Sequence, residues 1–115
     1  MLEADGRTAE AESHYRAAIA NDPTYRLARF NLGRVLVAQQ KHAEAIAELE
    51  KSLVPEDGET PRYLYALAAA WVRAGDRAKG LQYGREAQRK AEAQGQGELA
   101  AAIALDLSTL ESGPP

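Results

Sequence analysis

The 115-residue sequence contains no cysteine, which excludes a disulfide framework and a thiolate metal site and leaves the redox compartment open. Histidine is almost as scarce, since only His14 and His42 occur. Glu10 lies one helical turn before His14, but two ligands do not make a catalytic metal site. Both histidines are therefore expected to face solvent on helices, and neither a metal nor a cofactor is expected.

The sequence motifs of common enzyme classes are also missing. The serines have no nucleophile elbow around them, and the glycines at positions 75, 80 and 84 lie in a predicted turn and helix, not in a phosphate-binding loop. Gly80 and Gly84 each cost roughly 1 kcal/mol in a helix interior relative to alanine. They are expected to allow close approach of a neighbouring helix at Ala68, with a ligand cleft there as the alternative. No enzymatic activity is predicted.

A large excess of charge and a long apolar run are missing as well. The net charge is −3, which argues against a general nucleic-acid binder. The longest uncharged run, residues 63–72, is about half as long as a membrane span must be. No signal-peptide pattern is visible, although a fragment could have lost one, so the compartment stays open with the cytoplasm favoured.

What the sequence does contain is a pattern that recurs after 34 residues. Residues 9–11, Tyr15 and residues 18–19 are matched by residues 43–45, Leu49 and residues 52–53, and a looser third copy comprises Ala78, Gly80, Gly84 and Ala87. A fixed period in this range predicts a solenoid of stacked helical units instead of one closed globule.

The central copy has the pattern of two helices. Residues 22–23 open the first helix, because aspartate is a good cap and proline is tolerated in a first turn. Apolar residues then recur at helical spacing through Gln39, and after a polar break a second helix covers residues 42–53. Helices with so short a connection pack antiparallel, and the small residues Gly33 and Ala45 are expected where they touch.

This unit resembles the tetratricopeptide repeat (TPR), whose pattern is W-x2-L-G-x2-Y, then A-x3-F, then P. The pattern positions are occupied by Arg29, Leu32, Gly33, Leu36, Ala45 and Leu49 in the central copy, by Leu64, Leu67, Ala68, Trp71, Gly80 and Gly84 in the next copy, and by Ala11, Tyr15 and Pro23 in the first. Arg29 stands where the family has a bulky aromatic residue. The resemblance covers residues 2–94 and implies an all-α, right-handed solenoid of antiparallel helix pairs.

The pattern divides the chain into about two and a half repeats and a C-terminal capping helix. The predicted parts are residues 1–22, a partial first repeat without its first helix; residues 23–60, the second repeat; residues 61–94, the third repeat; residues 95–111, the capping helix; and residues 112–115, a tail. Of the missing first helix only residues 1–4 remain. The apolar stripe of the capping helix comprises Leu99, Ala102, Ile103, Leu107 and Leu110, with Asp106 as a polar interruption.

In this family the first helix of each pair lines a concave face that takes an extended peptide or a helix, so the resemblance implies a protein-interaction scaffold. Helical positions opposite the packing stripe form a candidate peptide-binding groove of Phe30, Asn31, Arg34, Arg62, Tyr65 and Arg73. An asparagine amide can bond bidentately to a peptide backbone, and arginines bind carboxylates. The expected ligand is a protein or peptide partner that is acidic or ends in a carboxylate; simple solvation of these arginines is the alternative. Co-chaperone members of this family bind a chaperone's C-terminal carboxylate with a clamp of five side chains. Only two of these have counterparts here, Asn31 and Arg62, which disfavours a chaperone tail as the ligand.

A second candidate surface lies on the helix of the partial first repeat. Ala11, Tyr15, Ala18 and Ile19 should pack partly against the missing helix, and their exposure would favour a homodimer through this seam. The alternatives are a monomer and a structural segment of a larger repeat protein that positions a neighbouring domain.

Overall fold

The computed structural model describes residues 2–112, with side chains from residue 6 onward, and it is entirely helical over this range. The helices are α1 (Leu2–Asn21), α2 (Arg26–Ala38), α3 (His42–Lys51), α4 (Thr60–Arg73), α5 (Arg77–Ala93) and α6 (Gly97–Ser112). The all-α prediction is therefore confirmed. Residues 2–4, expected as the remnant of a preceding helix, are continuous with α1. The predicted tail begins at Ser112, the last residue of α6, and its remaining residues lie outside the described range.

The chain forms two compact units, Met1–Ser52 (unit 1) and Leu53–Pro115 (unit 2). In unit 1, α2 packs against both α1 and α3; in unit 2, α5 packs against both α4 and α6. The boundary between the units falls within the segment 23–60 that the sequence assigns to one repeat. The division of the chain into repeats at the predicted positions stays a prediction.

The core of unit 1 forms where α1 and α3 cover the apolar face of α2. Leu32, Leu36 and Ala45 make up a buried cluster, and Tyr15, Ile19 and Val37 pack against it. Gly33 lies at the closest approach of α2 and α3, because a Cβ added there would lie 2.6 Å from Leu49 Cγ and 3.4 Å from the carbonyl oxygen of Ala45. The predicted contact of α2 and α3 at these small residues is confirmed.

The start of α2 differs from the sequence prediction. The helix begins at Arg26, three residues after Pro23. Asp22 Oδ1 accepts hydrogen bonds from the backbone N–H of Thr24 (3.1 Å) and from its hydroxyl (2.7 Å). Asp22 therefore closes a turn before the helix instead of capping its first residues. The hydrogen bond from the Thr24 hydroxyl is also the main reason that the pKa of Asp22 lies below its usual value.

Arg29, the residue that departs from the family pattern, joins three parts of unit 1. Its Nη1 lies 3.0 Å from Glu48 Oε1 on α3, and both side chains are less than one-fifth exposed. Its Nε and Nη2 donate to the carbonyl oxygen of Pro23 at 3.2 and 3.0 Å. The guanidinium thus holds the turn before α2 and the side of α3 together at the position where the family pattern places an aromatic ring.

We expect Arg29→Ala to lower the free energy of unfolding of unit 1 by about 1–3 kcal/mol, because it removes charge-assisted hydrogen bonds and leaves the shielded Glu48 carboxylate with less compensation. Urea denaturation followed by circular dichroism measures the change. Arg7→Ala, at an exposed arginine of α1, is the matched control and should stay within about 0.5 kcal/mol of the wild type. Equal effects of the two substitutions would contradict a structural role for Arg29.

The core of unit 2 forms around α5, which has small residues on its packed side. Leu64, Ala87, Ala91, Ala100, Ile103 and Leu107 form a buried cluster. A Cβ added at Gly80 would lie 3.3 Å from the carbonyl oxygen of Ala68 and even closer to Val72 Cγ2; one added at Gly84 would lie 2.8 Å from Leu107 Cδ2. The predicted close approach at Ala68 is confirmed, and Gly84 in addition allows α6 to approach α5.

The buried face of α6 is rotated from the predicted stripe. Ala100, Ile103 and Leu107 are buried, whereas Ala102, which the prediction placed in the stripe, is exposed. The composition of α6 explains the difference. Alanine or leucine occupies most of the circumference of this helix, so periodicity alone does not define its packed face. Within residues 2–112, no helix is long and apolar enough to cross a membrane.

Candidate functional site

An open cavity of about 250 Å³ lies between α1 and α2 in unit 1. Its lining comprises Thr8, Tyr15, Asn31, Arg34, Val35 and Ala38. Asn31 is half-buried and makes no hydrogen bond to any other described residue, so its amide donors and its carbonyl acceptor face the cavity without an intramolecular partner. We call this space the unit 1 cavity.

Arg34 forms one exposed edge of the unit 1 cavity. Its guanidinium carbon lies 5.8 Å from the centroid of the Phe30 ring, a cation–π distance. Phe30 is only 3% exposed. Its ring therefore supports the guanidinium and offers little surface of its own to a ligand.

A larger open cavity, of about 370 Å³, lies among α4, α5 and α6 in unit 2. We call it the unit 2 cavity. Apolar and small residues make most of its wall, and these are Ala68, Ala69, Val72, Gly80, Gly84, Ile103, Leu107 and Leu110. Its polar groups are Tyr65, Arg73, Asp106 and Thr109. Gly80 and Gly84 have no side chains, so they allow close approach of the neighbouring helices. They also line the cavity, which lies beside these contacts.

The polar groups of the unit 2 cavity differ in whether they have partners. The Tyr65 hydroxyl donates to Asp106 Oδ2. Burial of Tyr65, together with this hydrogen bond and the negative charge of Asp106, raises the pKa of Tyr65 to about 12, so the phenol is protonated at neutral pH. Arg73 is exposed and has no hydrogen-bond or ion-pair partner among residues 2–112.

Comparison with protein-family models decides the family. The tetratricopeptide repeat model matches residues 2–59, half of the chain. The chain belongs to the tetratricopeptide repeat family. The match covers α1, α2 and α3 and therefore the whole unit 1 cavity, whereas the TPR assignment of unit 2 stays a prediction from its sequence pattern. A comparison with curated proteins found no match. TPR repeats are generally protein–protein interaction modules, typically without enzymatic activity.

The six predicted groove residues of this TPR chain have different positions in the structure. Asn31 and Arg34 line the unit 1 cavity, and Tyr65 and Arg73 line the unit 2 cavity. Phe30 is buried beneath Arg34. Arg62 is exposed on α4, where its Nη1 lies 3.7 Å from Glu59 Oε1. The structure therefore brings the predicted groove residues together as one pair in each unit.

The seam residues of α1 are less exposed than the sequence suggests. Tyr15 and Ile19 are half-buried and pack against the core cluster of unit 1, and Ala11 and Ala18 are also half-buried. Tyr15 lines the unit 1 cavity together with Asn31. One member of the predicted seam thus shares a site with the predicted groove.

A polar network joins α1 to the turn between α2 and α3. Glu12 accepts from Arg16 Nε at 2.8 Å and from Lys41 Nζ at 3.4 Å. The hydrogen bond from Arg16 is the largest cause of the lowered pKa of Glu12, with further contributions from Gln39 and Lys41.

His42, which was expected to face solvent, is partly buried at the start of α3, with a buried Nδ1 that has no hydrogen-bond partner among the described residues. The tight turn at Gln40 (φ 63°) places it there.

Thr8 and Asp106 were missed as site residues, although the sequence holds a signal for each. Thr8 precedes Tyr15 by seven residues, which is two helical turns and the same face of α1. Asp106 is the polar interruption of the apolar stripe of α6. A charged residue that breaks an apolar stripe is a reason to expect a polar partner, and here the partner is Tyr65.

Proposed function

We propose that this TPR chain binds a peptide or helix of a partner protein through the open side of α2 in unit 1, and that the open side of α4 in unit 2 is a second binding surface. The observation that carries the proposal is the unit 1 cavity, in which the half-buried amide of Asn31 faces open space with its donors and acceptor unused. A peptide backbone offers one donor and one acceptor in each residue and matches such an amide.

The partner segment is proposed to be acidic or to end in a carboxylate. Arg34 borders the unit 1 cavity and Arg73 borders the unit 2 cavity, and each guanidinium is able to form a forked pair with a carboxylate. The negative charge at the unit 2 cavity, Asp106, is engaged by the Tyr65 hydroxyl. A pair between an exposed guanidinium and a partner carboxylate is screened by salt, so the affinity for the partner segment should fall as the salt concentration rises.

The test uses peptides selected on the wild-type chain from a random displayed library, with affinities then measured by fluorescence anisotropy. We expect Asn31→Ala/Arg34→Ala to weaken binding at least tenfold, about 1.4 kcal/mol, because both substitutions remove polar contacts at the unit 1 cavity. The matched control is Gln82→Ala/Arg89→Ala, which removes one amide and one guanidinium from exposed positions of α5. The control should leave the affinity unchanged.

Unchanged affinity in the Asn31→Ala/Arg34→Ala variant, with its helical content intact, would refute the α2 side as the binding surface. Sedimentation equilibrium then distinguishes the self-association alternative. A mass that stays monomeric at all concentrations agrees with peptide binding, whereas a rising mass that Tyr15→Ser abolishes would favour assembly through the seam on α1.

A further inference from the structure

The unit 2 cavity extends along about two turns of α4. Tyr65 and Arg73 both line it and are eight residues apart on one helix, a distance of about 12 Å at 1.5 Å per residue. Asp106 lies at the Tyr65 end, since the two side chains are hydrogen-bonded. The cavity therefore has a hydrogen-bonded pair that carries the negative charge of Asp106 at one end and an arginine at the other.

The wall between these ends is apolar. Ala68, Val72, Gly84 and Leu107 line the cavity and have no side-chain group that forms a hydrogen bond. The volume, about 370 Å³, lies in the usual range of small-molecule sites, which are mostly apolar with a few convergent polar groups. Because its wall is apolar along about 12 Å of α4, the unit 2 cavity favours an unbranched apolar chain.

The charged side chains around the cavity decide at which end the anionic group of such a ligand would bind. The cations near the C-terminal end of α4 are Arg73, Arg77 and Lys79. Arg77 donates to the carbonyl oxygen of Leu110, and Lys79 Nζ lies 4.6 Å from the centroid of the Trp71 ring. Arg73 is the one of the three with no partner among the described residues. The nearby carboxylate of Asp76 caps α5 by accepting from the backbone N–H of Lys79 at 3.0 Å. Arg73 therefore offers this end of the cavity an unpaired guanidinium, which suits a carboxylate.

We propose that the unit 2 cavity binds a small amphiphilic monocarboxylate, with its apolar chain between α4 and α6 and its carboxylate paired with Arg73. The ligand is a free acid with an unbranched chain about 12 Å long. The inference goes beyond the proposed function, because it needs unit 2 alone and is independent of peptide binding at Asn31 and Arg34. A carboxylate in this slot would occupy Arg73 and so exclude an acidic peptide from α4.

The test titrates the whole chain with sodium decanoate below its micellar concentration and follows backbone amide shifts by NMR. We expect saturable shifts confined to α4, α5 and α6. 1-Decanol has the same chain without the charge and should bind at least tenfold more weakly. Hexanoate should also bind more weakly, since it fills about half of the slot.

Two variants and a control test the assigned residues. Arg73→Gln should weaken decanoate binding at least tenfold, while Arg89→Gln, at an exposed arginine of α5, should not change it. Ala69→Leu narrows the mouth of the slot from an exposed position and should also weaken binding without loss of helical content. Neither variant changes a core residue, so both are expected to fold.

Several results would overturn the proposal. They are no saturable shift at millimolar decanoate, equal binding of decanoate and decanol, decanoate binding that is unchanged in Arg73→Gln, and shifts that centre on unit 1. Binding of an apolar tripeptide with a free C-terminus in place of decanoate would show that the cavity is a peptide subsite and would also refute it. None of these results affects the peptide test at Asn31 and Arg34, so failure of one proposal is distinguishable from failure of the other.

Discussion

Leu49→Ala is expected to lower the free energy of unfolding of unit 1 by about 2–5 kcal/mol, the range for truncating a fully buried leucine. Leu49 is 0% exposed and lies against Gly33 at the closest approach of α2 and α3. Its side chain fills the space that the missing Cβ of the glycine leaves. Urea denaturation monitored by circular dichroism measures the loss.

Gly33→Ala overpacks the same contact, whereas Leu49→Ala leaves a cavity there. The added Cβ would lie 2.6 and 2.7 Å from Leu49 Cγ and Cδ2, too close for any side chain contact. Overpacking of this kind costs about 1–3 kcal/mol, against a gain of roughly 1 kcal/mol from replacing glycine within a helix. Because Leu49 is enclosed on all sides, we expect the single substitution to destabilise the unit.

The double variant Gly33→Ala/Leu49→Ala tests the geometry of this contact. In the Leu49→Ala background the clashing atoms are gone, so Gly33→Ala should be neutral or stabilising by up to about 1 kcal/mol. The coupling free energy between the two sites should therefore be at least about 1 kcal/mol in the favourable direction. Strictly additive effects would show that α2 and α3 do not meet at these residues.

Ile103→Ala is expected to destabilise unit 2 by about 2–5 kcal/mol, because Ile103 is 1% exposed and packs α6 into the core of this unit. Loss of its side chain should also speed amide hydrogen exchange along α6 more than along α4. Thermal denaturation together with hydrogen exchange measured by mass spectrometry reports both effects.

Leu105→Ala is the matched control on the same helix. Leu105 is 70% exposed, and its truncation should change stability by no more than about 0.5 kcal/mol. The comparison separates the two faces of α6, which the sequence pattern does not distinguish well. A larger loss from Leu105→Ala than from Ile103→Ala would place the opposite face of α6 against the core.

Much of the fold follows from local pattern. The boundaries of α3 and α6 lie within two residues of the predicted ones, because apolar spacing and turn residues act over a few residues of chain. The start of α2 was predicted wrongly, since Asp22 and Thr24 form a hydrogen-bonded turn that competes with a helix cap. Either use of an aspartate side chain satisfies backbone N–H groups, and the sequence does not say which is chosen.

The candidate site was predicted only in part. Asn31, Arg34, Tyr65 and Arg73 were selected because they lie opposite the packing stripe, and the structure places each of them at an open cavity. Phe30 satisfied the same rule but is buried. Helical periodicity indicates which side of a helix a residue occupies, whereas burial depends on what other parts of the chain bring to that side.

Helix content and membership in a repeat family were therefore written in the sequence, because spacing at 3.6 and 34 residues depends only on the order of residues along the chain. Packing decided the rest. The partnership of Tyr65 with Asp106 joins residues 41 positions apart, the packed face of α6 is selected by contact with α5, and the unit 2 cavity exists because α4, α5 and α6 meet around glycines. These features depend on distances between segments that are remote in sequence, and such distances arise only when the helices pack.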